Sequence, residues 1–530
     1  NWVRGTKSTH VNGSFALVHA NKTICERLNG TTTSMTVGNM NKMAGGNVQS
    51  VTVGVIGQLN NAIVYLLAGG TITNMTNGSV GSMTDGEITT ITGGTVDSVT
   101  GGIVKNLNFG GTIATLDGGT IDKMDRGTIG NWISGTINTL VNGTLAMVHD
   151  KNTIGNMKSG TITSMTGGFI TTVDGGIIAS LSGGNITDLN NGTINAMSNG
   201  TIDIMNDGLV DNMSGGTILT INGGKINTVT NGTIGSLLGG EIVAMNDGTI
   251  ALIDGGTITD LINADITELK SGLIKAMEGG SIATFTNGTI TSLESGIITT
   301  MNGGTITEMI NGSVVTMNNG KIESFEGGEI TTMNDGQITY LKGGEIDTLA
   351  GGTINQMVEG RIEDMTGGTI AHFEDGYIEN IDGGIITNMV GGYVGTLNIG
   401  GTIDTFNGGT IDYWNKGTIN NWLGGVINRF ADGTLDIIKD GTIIAKLTGG
   451  RVGSMIGGEV WELYGTGAIT NQPGGLIKDL ALCGEVTTLS GGNITNITGG
   501  TCIKLTGWNV GTVSGGDISN TDSGTGEDQI

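Results

Sequence analysis

The chain has 530 residues and a formal charge of −25, so it lacks the basic stripe that a general nucleic-acid binder needs and carries a soluble, mutually repelling surface. With 101 Gly but a single Pro it is not collagen, and with 36% hydrophobic residues recurring at fixed places it is not a disordered chain. No apolar run reaches the length of a membrane helix, so no membrane insertion is expected, and Asn1-Trp2-Val3-Arg4 does not read as a signal peptide.

Residues 1–20 read as an irregular N-terminal segment, and an eight-residue unit runs from 21 to 456. Its pattern is Gly/Asn/Asp/Ser, Gly, Thr, Ile, polar, polar, Met/Leu, polar, as in Gly167-Gly168-Phe169-Ile170-Thr171-Thr172-Val173-Asp174. Position 4 is aliphatic (Ile162, Ile170, Ile178, Ile186) and so is position 7 (Met165, Val173, Leu181, Leu189). β-Branched residues flanked by Thr favour strand, while two glycines per unit and an apolar spacing of 3 then 5 exclude helix. Gly at position 2, with exceptions at Lys22, Asn152, Ala264 and Trp508, marks a tight corner with positive φ. Positions 4 and 7 would face opposite sides of a straight strand, so a shared core requires the chain to bend between them.

The octad predicts an all-β fold, an elongated β-solenoid (β-helix). Two octads would make a flattened 16-residue coil and three a triangular 24-residue coil; no 16- or 24-residue modulation stands out and all sides look equivalent, which favours three equal sides, wound by one chain or by three intertwined chains. With about 4.8 Å per layer, such a rod would run roughly 100 Å for one chain or roughly 300 Å for three.

Between 151 and 398 the octad recurs 31 times without insertion or deletion. Two segments flanking this stretch match at an offset of 290: Leu107-Asn108-Phe109-Gly110-Gly111 with Leu397-Asn398-Ile399-Gly400-Gly401, Gly130-Asn131-Trp132-Ile133 with Asn420-Asn421-Trp422-Leu423, and Asn142-Gly143-Thr144-Leu145 with Asp432-Gly433-Thr434-Leu435. Residues 12–19 form a third, partial copy of 142–149. Phe109 and Ile399 each shift the frame by one residue, as built-in bulges do. An irregular stretch, 457–482, carries Trp461, Tyr464 and the single proline, Pro473, and reads as a cap or attachment region. Terminal octads fill 483–518, and a polar tail fills 519–530.

Few residues suggest chemistry. Gly-Gly pairs are frequent, but no GxxxxGK[ST] phosphate loop occurs, so no cofactor is expected. Asp375, Glu379 and Asp382 could align on neighbouring coils around a calcium ion, although the aspartate ladder of calcium-binding β-rolls is missing. Carboxylate pairs such as Glu359 and Glu363 meet the composition of a glycan depolymerase, but unbroken octads leave no insertion to form a cleft, and no enzyme is expected. His10, His19, His149 and His372 are too scattered for a metal cluster. Trp132, Trp414 and Trp422 occupy the core slot, position 7; Cys502 takes an Ile slot, whereas Cys25 and Cys483 fall at polar or turn positions.

Asn-Gly-Ser/Thr occurs at Asn12, Asn29, Asn77, Asn142, Asn191, Asn199, Asn231, Asn287 and Asn311; each fits corner geometry and each is an N-glycan acceptor if the source is archaeal or eukaryotic. Thr at positions 3 and 5 (Thr71/Thr73, Thr161/Thr163, Thr257/Thr259, Thr289/Thr291, Thr305/Thr307) is similar to ice-binding β-solenoids, but other residues often interrupt the second column.

An octad with one glycine corner and one aliphatic core residue resembles the trimeric β-helical needles and fibres of phage tails and related injection machines. The needle pattern places Val two residues before Gly, whereas here Ile follows Gly by two, and no functional residues carry over. The resemblance implies a structural fibre of a phage tail or an extracellular filament, located on a virion or cell surface and self-associating as a homotrimer or polymer. The alternative is an adhesin whose flank binds host-surface glycans.

Overall fold

A computed structural model describes residues 5–7, 10, 12–18, 22–505 and 509–518. The expected tail 519–530, His19 and Trp508 lie outside the described residues, as do residues 1–4, 8, 9, 11 and 20 of segment 1–20 and the side chain of Cys502. All described regular structure is β-strand, and the strands pair in parallel. The chain divides into two compact units, Asn1–Asp260 and Leu261–Ile530.

In the first unit the position-4 side chains stack as Ile162, Ile178, Ile194, Val210, Ile226 and Ile242, each paired with the residue 16 further on. The second unit repeats the arrangement with Ile274, Ile290, Ile306, Ile322, Ile338, Ile354, Ile370 and Ile386. Position 7 forms a second buried ladder beside each of these, and almost every side chain in both is 0% exposed. The strand register runs through positions 3, 4, 6 and 7 and skips position 5, as in Asn185↔Thr201, Ile186↔Ile202, Asp188↔Ile204 and Leu189↔Met205. The chain therefore bends at position 5, and both apolar side chains of an octad reach one core.

The constant 16-residue step corrects the favoured 24-residue coil: a coil is two octads, the other length the sequence allowed. The two corners of a coil are chemically different, and that difference carries the 16-residue period. In the first unit one corner stacks position-8 amides: Asn190 donates to Asp174 (2.9 Å), Asn206 to Asn190 (2.9 Å) and Asn222 to Asn206 (2.7 Å). The opposite corner carries Thr166, Ser182, Ser198 and Ser214; the hydroxyls of Thr166, Ser182 and Ser214 turn to backbone carbonyls of the preceding coil, for example Ser214 to Met197 at 3.4 Å. In the second unit Asn302, Asn318 and Asn334 form the same kind of amide ladder, each step 2.9 Å. Replacing Asn206 by Ala removes one donated and one accepted bond of an exposed ladder, and we expect a loss of about 1 kcal/mol, read by thermal melting.

Corner glycines adopt positive φ, as in Gly184 at +87°. At two corners where alanine replaces the position-2 glycine, the left-handed residue moves back by one: Asn61 (φ +51°) precedes Ala62 and Asn263 (φ +55°) precedes Ala264. Asn tolerates that region better than other side chains, so the corner survives the exchange.

Stretch 457–482 stays in the ladder. Strands Glu459–Leu463, Ala468–Gln472 and Leu476–Leu480 pair in parallel with a step of 17, so each coil there takes up one extra residue at a corner.

Candidate functional site

The residues expected to matter from the sequence are spread over corners and faces. Trp461 is 37% exposed; its indole N–H donates to Glu459 (2.7 Å), and Lys478 Nζ lies 4.1 Å above the ring. The indole bond first, with Lys478 behind it, holds the Glu459 carboxyl below the usual carboxylate range. Tyr464 lines a shallow concavity of about 280 Å³ with Glu462, Asp479, Ala481 and Leu482, whereas Pro473 stands exposed at the next corner of the chain. The three do not form one constellation. All nine Asn-Gly-Ser/Thr asparagines are exposed at corners, a position open to a glycan and equally suited to turn geometry.

Asp375, Glu379 and Asp382 go separate ways. Asp375 accepts the Gly376 amide (2.7 Å), Glu379 holds Arg361, and Asp382 accepts the Asn398 side chain (2.6 Å). Glu363 instead joins Glu345 and Asp347, with carboxylate oxygens of all three within 4.8 Å of one another; Glu359 sits at an exposed corner. Desolvation, and then the neighbouring Glu329, Glu345 and Glu363 charges, push the Asp347 carboxyl up. A raised folded value means that the ionised group opposes folding, so its contribution to stability improves as pH falls through that window. We expect Asp347→Asn to raise the melting temperature at neutral pH and to flatten its acid-side dependence; an unchanged melting profile would contradict this.

Beside that cluster runs a mixed strip. The Arg361 guanidinium bridges Glu345 and Glu379 and lies 6.0 Å from the Tyr377 ring centroid, and Tyr377 stacks on Tyr393 at 5.3 Å. The threonine column Thr201, Thr217, Thr233 and Thr249 is continuous, but its position-5 companions are Asp203, Leu219, Gly235 and Ala251, so no flat double row of threonines forms there. Trp132, Trp414 and Trp422 fill core slots, at 5%, 0% and 3% exposure, and their indoles donate to the corner carbonyls of Ser134, Gly417 and Gly424. Cys25 and Cys483 are free thiols.

The most distinctive geometry belongs to the duplicated block, which sequence reading marked only as a pair of bulges. In the first unit, strand 128–132 pairs backward with 112–116, and Thr144–Val148 pairs forward with 161–165, but no pairing joins the two. On the other side of the same coils, 136–140 pairs with both 120–124 and 153–157. The second unit repeats this: Thr418–Trp422 pairs backward, Thr434–Ile438 pairs forward, and the rung between them is missing, while 426–430 is paired on both edges.

Each block therefore lacks one rung of its ladder, a narrow slit between two strands that lie side by side without pairing. The inward residues at these slits show the trace of it: Ile129 is 8% and Leu145 2% exposed, and Ile419 is 8% and Leu435 4% exposed. Corner bonds close the slit at its start, from the Arg126 amide to Asn142 and from the Lys416 amide to Asp432 (3.1 Å), with a Lys416–Asp432 ion pair at 3.0 Å. Both of those basic residues have positive φ, 62° and 68°. Apolar side chains protrude at matching places in the two blocks: Phe109 (74%), Ile133 (42%) and Met147 (43%) in one, Ile399 (75%), Leu423 (43%) and Ile437 (41%) in the other.

The chain matches no protein-family model and no curated protein sequence.

Proposed function

We propose that this chain is a structural fibre protein, the repeating body of a phage tail fibre or an extracellular surface filament, which presents an attachment end and associates with copies of itself. The observation that carries this reading is the pair of buried ladders: in both units the chain's own apolar side chains fill the core slots, and most outward positions carry polar residues. Such a surface suits a body that resists bending and stays soluble rather than one built around a pocket. Electron microscopy and native mass of the purified protein test it. Rods of constant width support the fibre, and compact particles would contradict it.

The adhesin reading has one specific observation in its favour, the Tyr377–Tyr393 stack next to Arg361, since stacked aromatic rings beside charged groups are a surface on which sugars can lie. Attachment assays separate the two readings. In the fibre reading, Thr171→Ala, Thr172→Ala, Tyr377→Ala and Tyr393→Ala leave attachment intact, whereas changes at Trp461, Tyr464 and Pro473 disturb capping, docking or receptor contact. Loss of attachment in the Tyr377→Ala/Tyr393→Ala variant would favour the adhesin.

A further inference from the structure

We infer that the surface around Trp461 in the second unit is a binding site for a neutral glycan, with one sugar ring on the indole and the next in the glycine-floored corner beside it. The inference rests on the attachment region of the reading above and names the class of ligand that region takes.

The indole comes first. Trp461 sits at position 5, an outward slot, and its position-5 neighbours on adjoining coils are Ala445 on one side and Lys478 on the other. Lys478 Nζ, 4.1 Å from the ring centroid, covers one face of the ring. The face toward the preceding coil has only the Ala445 methyl group beneath it, and Asn428 stands one coil further on. From Trp461 to Asn428 is two strand spacings, about 9.6 Å, which leaves room for a ring stacked on the indole. A pyranose presents C–H bonds on its faces and hydroxyls around its edge, and an indole face bordered by polar groups matches both.

Beside the indole the corner is hollow. A concavity of about 470 Å³ is floored by Gly441, Gly458, Gly475 and Gly492 and walled by Ile443 and Leu476. These corners turn through positive φ, +83° at Gly441 and +72° at Gly458, so the residues that make the turn bring no side chain to fill the hollow. The volume is that of a small-molecule site. Glu459 lines it and also accepts the Trp461 indole N–H, so the ring and the concavity share a wall. A disaccharide lying across the strand reaches both.

The polar groups and their charge select the sugar. Trp461 (2.7 Å) and Lys478 (3.3 Å) both reach Glu459 Oε2, which keeps Oε1 available to a hydroxyl. Asp440 and Asn493 offer further hydrogen-bonding groups within the concavity, and Asn428, which gives its N–H to Asp412 (2.8 Å), keeps its side-chain oxygen. The charged residues lining the concavity, Asp440 and Glu459, are both acidic, on a chain whose net charge is −25. Such a site repels sialic acids, uronic acids and phosphates, whereas the hydroxyls of a neutral sugar donate to its carboxylates.

The test titrates the full chain with maltose, cellobiose, lactose and chitobiose, and with sialyllactose as the anionic probe, read by saturation-transfer NMR. At least one of the four neutral disaccharides is expected to bind, with a dissociation constant on the order of 1 mM for a ligand of that size. Trp461→Ala should weaken binding at least tenfold and leave the melting temperature unchanged, because the side chain is outward. Asn493→Arg, at an exposed side chain, is the second variant if the first does not fold; its longer side chain fills the concavity and should abolish binding. Tighter binding of sialyllactose than of all four neutral probes overturns the ligand class. Equal binding by the unchanged chain and both variants, or a loss confined to the Tyr377→Ala/Tyr393→Ala variant, overturns the site. Rods that bind none of the probes overturn the inference and leave the fibre reading standing. Compact particles that bind a disaccharide through Trp461 overturn the fibre reading and leave the site standing.

Discussion

Ile178→Asp is expected to destabilise the first unit by about 4 kcal/mol, because an unpaired carboxylate would replace a side chain with no exposure, between Ile162 and Ile194 in the ladder. No polar partner stands in the ladder to receive it. The penalty should shrink at low pH, where burial favours the neutral acid. Ile178→Val, which removes one methyl group, should cost only about 1 kcal/mol. Denaturant melting together with hydrogen exchange of residues 161–210 reads both effects; equal melting of the Asp variant and the unchanged chain would show that position 4 faces solvent.

Gly184→Val comes next in size, at about 3 kcal/mol or more. The residue sits at φ +87°, and a Cβ there would lie 2.7 Å from the Gly167 carbonyl carbon and from the Gly168 oxygen, both backbone atoms that the stacked corner holds in place. Gly433→Ala makes the informative contrast. Its φ of +120° still disfavours a side chain, but the nearest atom is 3.5 Å away, so about 1 kcal/mol is expected. The difference between the two measures how far the ladder has parted at the slit. If both substitutions cost the same, the slit is packed like any other rung.

Much of this fold is readable in the octad. Ile at position 4, Met or Leu at position 7 and Gly at position 2 announce strand, core and corner, and the spacing of 3 correctly requires the bend that the register places at position 5. Coil size was readable too, but from the outward residues. Position 8 alternates Thr166, Asp174, Ser182, Asn190, Ser198, Asn206, Ser214, Asn222, a 16-residue period that is invisible in position-4 slots filled by Ile or Val in every octad of that stretch. Stacked amides and stacked hydroxyls make different bonds, so each kind keeps to its own corner.

The slit could not be read, because it consists of a pairing that is absent rather than of a residue that is present. Its one sequence signal is the retention of Phe109, Trp132 and Asn142 as Ile399, Trp422 and Asp432 at a fixed offset while the octads between them diverge. Candidate ligand groups fared differently from the core. Asp375, Glu379 and Asp382 are near in sequence, but a solenoid brings together residues 16 apart, which is why Glu345, Asp347 and Glu363 meet instead.

Disulfide trapping tests the two-octad coil most directly. Thr172 and Asp188 are register partners on adjacent coils, one strand spacing of about 4.8 Å apart, within the Cα range a disulfide spans. Thr172→Cys with Asp188→Cys, in a chain whose three cysteines are replaced by Ser, should oxidise to an intramolecular link in the native state. Thr172→Cys with Ala196→Cys, three octads apart, should not. A link in the second pair and none in the first would contradict the 16-residue coil and restore the three-octad coil.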